Sequence, residues 1–330
     1  MSGSDCGTIL HSVARIHVLT AAVLFGTTGT AQALGPTIEP LAVGTARIVV
    51  GAVLLVAVAV LTGRARLGAG NRKLILVSGV FVALYQASFF AAVDDTGVAV
   101  GTVVALGSAP AFTGLFARVF TGERLTGLWF AATGLALAGV CLLTFGGGDG
   151  GDVSAPGVAL ALAAGAGYAG YAVAGKRLMD QGASPEGLMA AVFTTGALIL
   201  SPVLLFVPAD GLVSGEGIAL AVYLGAVPTA LAYVLFARGL DKIGPSETST
   251  LTLAEPVTAL LLGFLVLSER PSATSAAGAA LVLTGLAILA LRRESAGRVT
   301  PEWRRPSQPT EPPTRPLPPS SQPQSLSASG

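Results

Sequence analysis

The chain has 330 residues, of which 52% are hydrophobic and only 11% charged, with a formal net charge of +1. A soluble domain carries roughly 25% charged residues, so this chain cannot clothe itself in a charged surface, and its near-neutral balance offers nothing to nucleic acid. The only cysteines are Cys6 and Cys141 and the only histidines His11 and His17, too little for a zinc, haem or iron–sulfur centre, and no metal or cofactor is expected.

Crossing a hydrocarbon core of roughly 30 Å takes about 20 apolar residues in a helix. Ten segments satisfy this, at 16–35, 41–62, 74–93, 98–120, 125–145, 156–174, 185–206, 217–238, 246–267 and 272–291. Turn sequences separate them, among them Gly35-Pro36, the run from Gly146 to Gly151 and the stretch from Pro208 to Gly217. Apolar runs of this length satisfy their backbone groups in lipid only as helices, and the alternation of a transmembrane barrel is missing.

Basic residues fall in alternate loops. Arg64, Arg66, Arg72, Lys73, Arg118, Arg124, Lys176, Arg177, Arg238 and Lys242 share one side with Arg15, Arg292 and Arg293. The other side holds Arg270 and the acids Glu39, Asp94, Asp95, Asp149, Asp152, Asp210, Glu216 and Glu269. The positive-inside rule then puts both termini in the cytoplasm, in a multi-pass protein of the cytoplasmic (plasma) membrane. Residues 1–15 read as a short cytoplasmic N-terminus. Ala31-Gln32-Ala33 imitates a signal-peptide cleavage site, but removing that span would leave nine helices. Residues 294–330, rich in Pro, Ser, Thr and Gln, read as a disordered cytoplasmic tail.

The pattern repeats. Pro110 and Pro256 lie 146 residues apart, as do Glu123 and Glu269, Arg124 and Arg270, Ala131 and Ala277, Leu135 and Leu281, Gly139 and Gly285, and Leu143 and Leu289. Pro40 and Pro185 open the second span of each half, and Gly51 and Gly196 follow at equal distance. Each half, 16–145 and 156–291, holds five spans, and an odd number inverts the second copy relative to the first. The fold class expected is an all-α polytopic membrane protein, with ten transmembrane helices as two inverted five-helix repeats. Such repeats build alternating-access transporters with a site near the midplane.

Phe25-Gly26 in the first span, Arg47 in the second, Glu255-Pro256 in the ninth, and a proline followed thirteen residues later by Glu-Arg in both halves resemble the EamA-type drug/metabolite transporter superfamily. The resemblance covers 16–291 and implies two EamA-like repeats and export of a small solute. One departure is Ser268, which stands where the first repeat has Gly122.

Glu255 is the one acid deep in a span, about 14 Å along its helix at 1.5 Å per residue. An ionised acid there costs at least ~2.5 kcal/mol. It therefore faces a wet cavity, is protonated, or has a partner. Substrate-amine binding or proton coupling stands beside a structural role at the Pro256 break, and Ala109 holds the equivalent place. Arg47 either binds a substrate carboxylate or ties to Glu39 or Asp94, with the tie favoured. Tyr85, Gln86, Ser88, Tyr168, Tyr171, Tyr233, Thr250 and Thr252 line either a cavity or a helix contact, and Thr27, Thr28, Thr30 and Gln32 turn one side of the first span inward. Pro110, Pro202, Pro228 and Pro256 break helical hydrogen bonding inside spans. Gly146-Gly147-Gly148-Asp149 imitates a membrane aspartyl protease but has no partner aspartate in another span, and the pair Asp94-Asp95 reads as solvated loop acids.

The expected function is ATP-independent secondary transport, by alternating access, of a small metabolite, amino acid or drug-like compound, most consistent with efflux. No phosphate-binding Gly-x-x-x-x-Gly-Lys is present. A sugar-phosphate or nucleotide-sugar antiporter is the alternative, although it would need more cations than Arg47, and an intramembrane enzyme is a third reading without a catalytic constellation. The expected partners are a small-molecule substrate, the lipid bilayer and a proton as candidate coupling ion, with no nucleic acid; monomer and homodimer both stay open.

Overall fold

The computed structural model describes residues 3–67, 72–145, 154–268 and 272–290. Gly146 to Asp149, the pair Glu269-Arg270 and the tail 294–330 lie outside them. Among the described residues there is no β-strand, and one isolated antiparallel bridge joins Leu67 and Ala183. Helices α1 (Gly3–Leu34) and α2 (Pro40–Leu61) are followed by α3 (Arg72–Phe120), α4 (Gly127–Phe145), α5 (Ala155–Asp180) and α6 (Pro185–Leu200). Helices α7 (Gly215–Gly225) and α8 (Ala232–Lys242) are joined by a π turn, and α9 (Pro245–Leu251), α10 (Ala254–Val266) and α11 (Ala273–Ala290) complete the bundle.

Eight stretches are long and apolar enough to cross a membrane, and two shorter apolar helices, Gly127–Leu142 and Ala273–Leu289, bring the total among the described residues to the expected ten. Helix α3 supplies two of them, Arg72–Thr96 and Gly101–Phe120. A Cβ on Gly101 would stand 3.1 Å from the Cα of Val93, whereas eight residues of straight helix would separate the two by about 12 Å. The chain therefore reverses between these legs. Helix α1 starts at Gly3, well ahead of the expected 16, and Arg15, 8% exposed, is packed inside it.

Each proline inside a span withholds one N–H from the carbonyl four residues back. Pro228 deprives Leu224, and the Thr229 hydroxyl donates to that carbonyl at 2.7 Å, across the π turn. Pro202 deprives Leu198, which accepts instead from the Ser201 hydroxyl at 3.3 Å as the chain tightens into a 3₁₀ turn. Pro256 deprives Thr252; the helix breaks at Thr252-Leu253 and the Glu255 N–H donates to the Thr252 carbonyl at 2.9 Å. Pro110 stays inside α3. Of the paired prolines Pro110 and Pro256, the helix is interrupted just before Pro256 and runs on through Pro110.

The duplication is visible in the packing. Helices α4 and α11 cross at glycines: a Cβ on Gly139 would lie 2.6 Å from both the Gly278 carbonyl oxygen and the Val282 nitrogen. A Cβ on Gly285 would lie 2.7 Å from the Ala132 oxygen and 3.0 Å from the Ala136 nitrogen. The 146-residue offset of the sequence carries Gly139 onto Gly285, Ala132 onto Gly278 and Ala136 onto Val282, so the contacts are reciprocal and the helices antiparallel. Gly51 likewise packs on Gly225 and Thr229, while its counterpart Gly196 packs on Gly79 and Val82. Small residues let helix backbones approach where no apolar solvent contrast drives them together.

Two predictions follow from this geometry. Gly139→Ala and Gly285→Ala should each lower stability by a similar amount, about 1–3 kcal/mol for an overpacked contact, read as thermal unfolding in detergent. Gly122 has φ +70° and Ser268 has φ +58°, so both repeats end this span on a left-handed residue. Such a conformation costs a non-glycine residue roughly 1–2 kcal/mol, and Ser268→Gly should raise stability by up to about 1 kcal/mol in the same assay.

Candidate functional site

A cavity of about 510 Å³ lies between the two repeats, within the roughly 300–1,000 Å³ range of small-molecule sites. Phe25, Gly26, Thr28, Gly29 and Gln32 of α1 face it, with Pro40 and Arg47 of α2 and Tyr85, Gln86, Phe89, Phe90 and Val93 from the first leg of α3. The second leg gives Thr102, Leu106 and Ala109; Tyr168, Tyr233, Thr252, Leu253, Glu255, Pro256, Ala259 and Leu260 come from the second repeat. Gln32, Pro40, Val93 and Thr102 lie near the helix ends on one face of the bundle, so the cavity runs from mid-bundle to that face.

Its floor is aromatic. The rings of Phe25 and Tyr233 are 4.9 Å apart and those of Tyr85 and Tyr168 6.3 Å, with Tyr171 beneath at 5.2 Å from Tyr168 and 6.2 Å from Tyr233. Gly26 sits where a Cβ would fall 2.7 Å from the Glu255 carbonyl oxygen, which lets α1 lie against the Pro256 break.

Of the residues singled out from sequence, Glu255, Arg47, Gln86, Tyr85, Tyr168 and Tyr233 therefore share one cavity, with Pro256 beside them. Tyr171 is 2% exposed in the aromatic cluster. Thr250 lies elsewhere: it meets the Thr133 hydroxyl at 2.9 Å and donates to the Ser246 carbonyl, tying α9 to α4. Pro110 is not among the lining residues, but Leu106, whose carbonyl it leaves without a helical donor, is. Tyr168 and Thr252 share a hydrogen bond of 3.2 Å.

The favoured tie of Arg47 to Glu39 or Asp94 is not the one found. Both acids are exposed, and the Arg47 Nη2 instead donates to Gln86 Oε1 at 3.4 Å, with its Nε buried and unpartnered. Arg47 and Glu255 are the two charged residues lining the cavity, and no ion pair joins them among the described residues. Thr28 and Gln32, expected to turn inward from the first span, line the cavity too; Phe89, Phe90 and Thr102 were not singled out, and the Phe89-Phe90 doublet was the available signal.

Polar ties between the repeats concentrate on the opposite face. Arg15 Nε donates to Glu247 Oε1 at 2.6 Å. Glu186, 0% exposed, accepts from Arg64 at 3.0 Å and from both Nε and Nη2 of Arg238 at 2.8 and 2.7 Å. Ser184 bonds the Arg64 and Arg66 carbonyls, and Trp129 Nε1 donates to the Ser246 carbonyl at 3.2 Å. Glu123, in the loop after α3, packs its carboxyl on Gly244. Burial raises its pKa, and hydrogen bonding from Ser246 opposes the rise.

These features define a multi-pass membrane protein with two inverted helical repeats around a shared cavity. The EamA-like transporter family matches residues 13–145 and again 155–291, and the chain belongs to that family. It is 37% identical over 279 residues to the uncharacterized transporter YwfM of Bacillus subtilis (strain 168), covering 84% of this chain and 94% of that one. It is 30% identical over 290 residues to the threonine/homoserine exporter RhtA of Escherichia coli (strain K12), covering 85% and 92%. A solved crystal structure superposes with a TM-score of 0.73 at 24% identity, over 83% of this chain and 95% of that chain, and shares the fold. The chain is thus a small-molecule transporter of the EamA family.

Because the folded-state pKa of Glu123 is raised, its favourable contribution is complete below the unfolded value of about 4.3 and is lost as pH rises through the folded one. Glu123→Gln should remove that loss: across this window the melting temperature of the wild type should fall relative to that of the variant.

Proposed function

We propose that the protein is a secondary exporter of small zwitterionic solutes of the amino-acid type. The observation that carries this is one cavity, lined by both repeats, in which a guanidinium (Arg47) and a carboxylate (Glu255) face the same space without pairing. A carboxylate of the solute answers Arg47, an ammonium answers Glu255, and the aromatic and leucine walls take an apolar side chain. A sugar phosphate would bring two negative charges to a cavity with one cation. Export is suggested by the threonine/homoserine exporter among its relatives.

Alternating access fits the placement of the cross-repeat ties. Opening the cavity to the opposite face would require Arg15–Glu247 and Arg64–Glu186 to part, while the aromatic floor moves with the helices that carry it. The basic loops on that face support a cytoplasmic side in a plasma-membrane protein, a reading in which the cavity opens outward. Glu255 is the candidate proton-coupling group, with Gly26 and the Pro256 break holding it at the cavity wall.

Purified protein in liposomes should move labelled amino acids without ATP; no transport across an amino-acid and drug panel would count against the proposal. In the same vesicles Glu255→Gln should abolish uptake driven by a pH gradient while sparing solute exchange. Unchanged gradient dependence would remove Glu255 from coupling.

A further inference from the structure

Gln86 is 2% exposed, and its amide is held from two sides. Its Oε1 accepts from Arg47 Nη2 at 3.4 Å, and its Nε2 lies against Gly44, where a Cβ would come within 2.7 Å. The same guanidinium has a second donor on that edge, Nε, buried with no partner. Elsewhere the chain shows what a carboxylate does in this position: one oxygen of Glu186, Oε1, takes both Nε and Nη2 of Arg238, at 2.8 and 2.7 Å. At Arg47 the neighbour is instead an amide, nearly isosteric with glutamate but without charge. It orients the guanidinium and leaves its charge uncompensated.

We infer that Gln86 is a specificity-determining residue, which keeps the cavity at one positive and one negative charge and so selects solutes with no net charge. This rests on the zwitterion reading given above. A glutamate at 86 would close the Nε–Nη2 fork as Glu186 does on Arg238. Arg47 would then be neutralised within the protein, leaving Glu255 as the uncompensated charge on the wall. The cavity would lose its attraction for a carboxylate and keep its attraction for an ammonium. In a low-dielectric pocket a net charge of that sign discriminates by Coulomb energy as well as by lost hydrogen bonds.

Binding to purified protein in detergent at pH 7.5, measured by calorimetry, separates the possibilities with three probes that share one side chain. These are leucine, 3-methylbutylamine (leucine without the carboxylate) and 4-methylpentanoate (leucine without the amine). Wild type should bind leucine more tightly than either analogue. Gln86→Glu should weaken leucine by about tenfold or more, the equivalent of 1.4 kcal/mol, and bind the amine at least as well as wild type does. Gln86→Met, neutral and of similar length, loses the amide's bond to Arg47 and should weaken leucine without coming to prefer the amine; an amine preference in this variant would overturn the role of charge at 86. If Gln86→Glu lowers the melting temperature too far to assay, Gln86→Asp adds the same charge with less volume and must show the same inversion. Gln86→Glu with the wild-type order and affinity would overturn the role of Gln86 and leave the zwitterion reading standing. Loss of all three probes at an unchanged melting temperature would overturn it too. A wild type that does not prefer leucine to both analogues would overturn the zwitterion reading itself.

Discussion

A helix in hydrocarbon has no water to repair a broken backbone hydrogen bond, and the rest of this structure depends on that constraint. Four prolines sit inside spans. At Pro228 and Pro202 the deprived carbonyl is repaired by the hydroxyl of Thr229 and Ser201, and both breaks are closed. At Pro256 the repair comes from a rearranged backbone, which leaves Thr252, Leu253 and Glu255 turned to the cavity. Pro110 leaves its helix intact, with Leu106 beside the same space. Irregular backbone in this bundle is therefore either sealed with a hydroxyl or placed beside the cavity.

The two repeats share architecture and divide the chemistry. Reciprocal glycine contacts at Gly139 and Gly285, and at Gly51 and Gly196, hold equivalent helices at equivalent distances. The charged groups of the cavity have no counterparts. Ala109 stands where the second repeat has Glu255, and the offset relating Gly51 to Gly196 puts Val192, 2% exposed, where the first repeat has Arg47. Each repeat contributes one sign of charge, and the site exists only where they meet.

The ten spans and their inversion were legible because length, loop charge and the 146-residue offset are properties of the chain itself. The cavity was legible in part. Glu255, Arg47, Gln86 and three tyrosines stand out because polar groups are rare in apolar helices. Which way a span faces is another matter: when both sides are apolar, no periodicity distinguishes a wall from a lipid contact. Thr250 shows this, facing Thr133 across a helix contact, and so does Tyr171, one turn from Tyr168 but behind the floor. The partner of Arg47 was misjudged for a related reason. Glu39 and Asp94 have the right charge, but they sit in water at helix ends, and a neutral Gln86 inside the bundle is nearer.

Helix α5 lies in the cleft between the two legs of α3. Gly157 meets Asp95 and Thr96 at the turn, Gly165 meets Ala105, Ser108 and Ala109 on one leg, and Gly167 and Gly170 meet Phe81 and Tyr85 on the other. The first helix of the second repeat thus completes the first. During synthesis the amino-terminal half enters the membrane with this cleft unfilled, and its helices gain their full set of neighbours only after residue 155 has followed. The halves share one pattern, yet the first is completed only by a helix of the second, and the order in which the ribosome delivers them is also the order in which the cleft is opened and then filled.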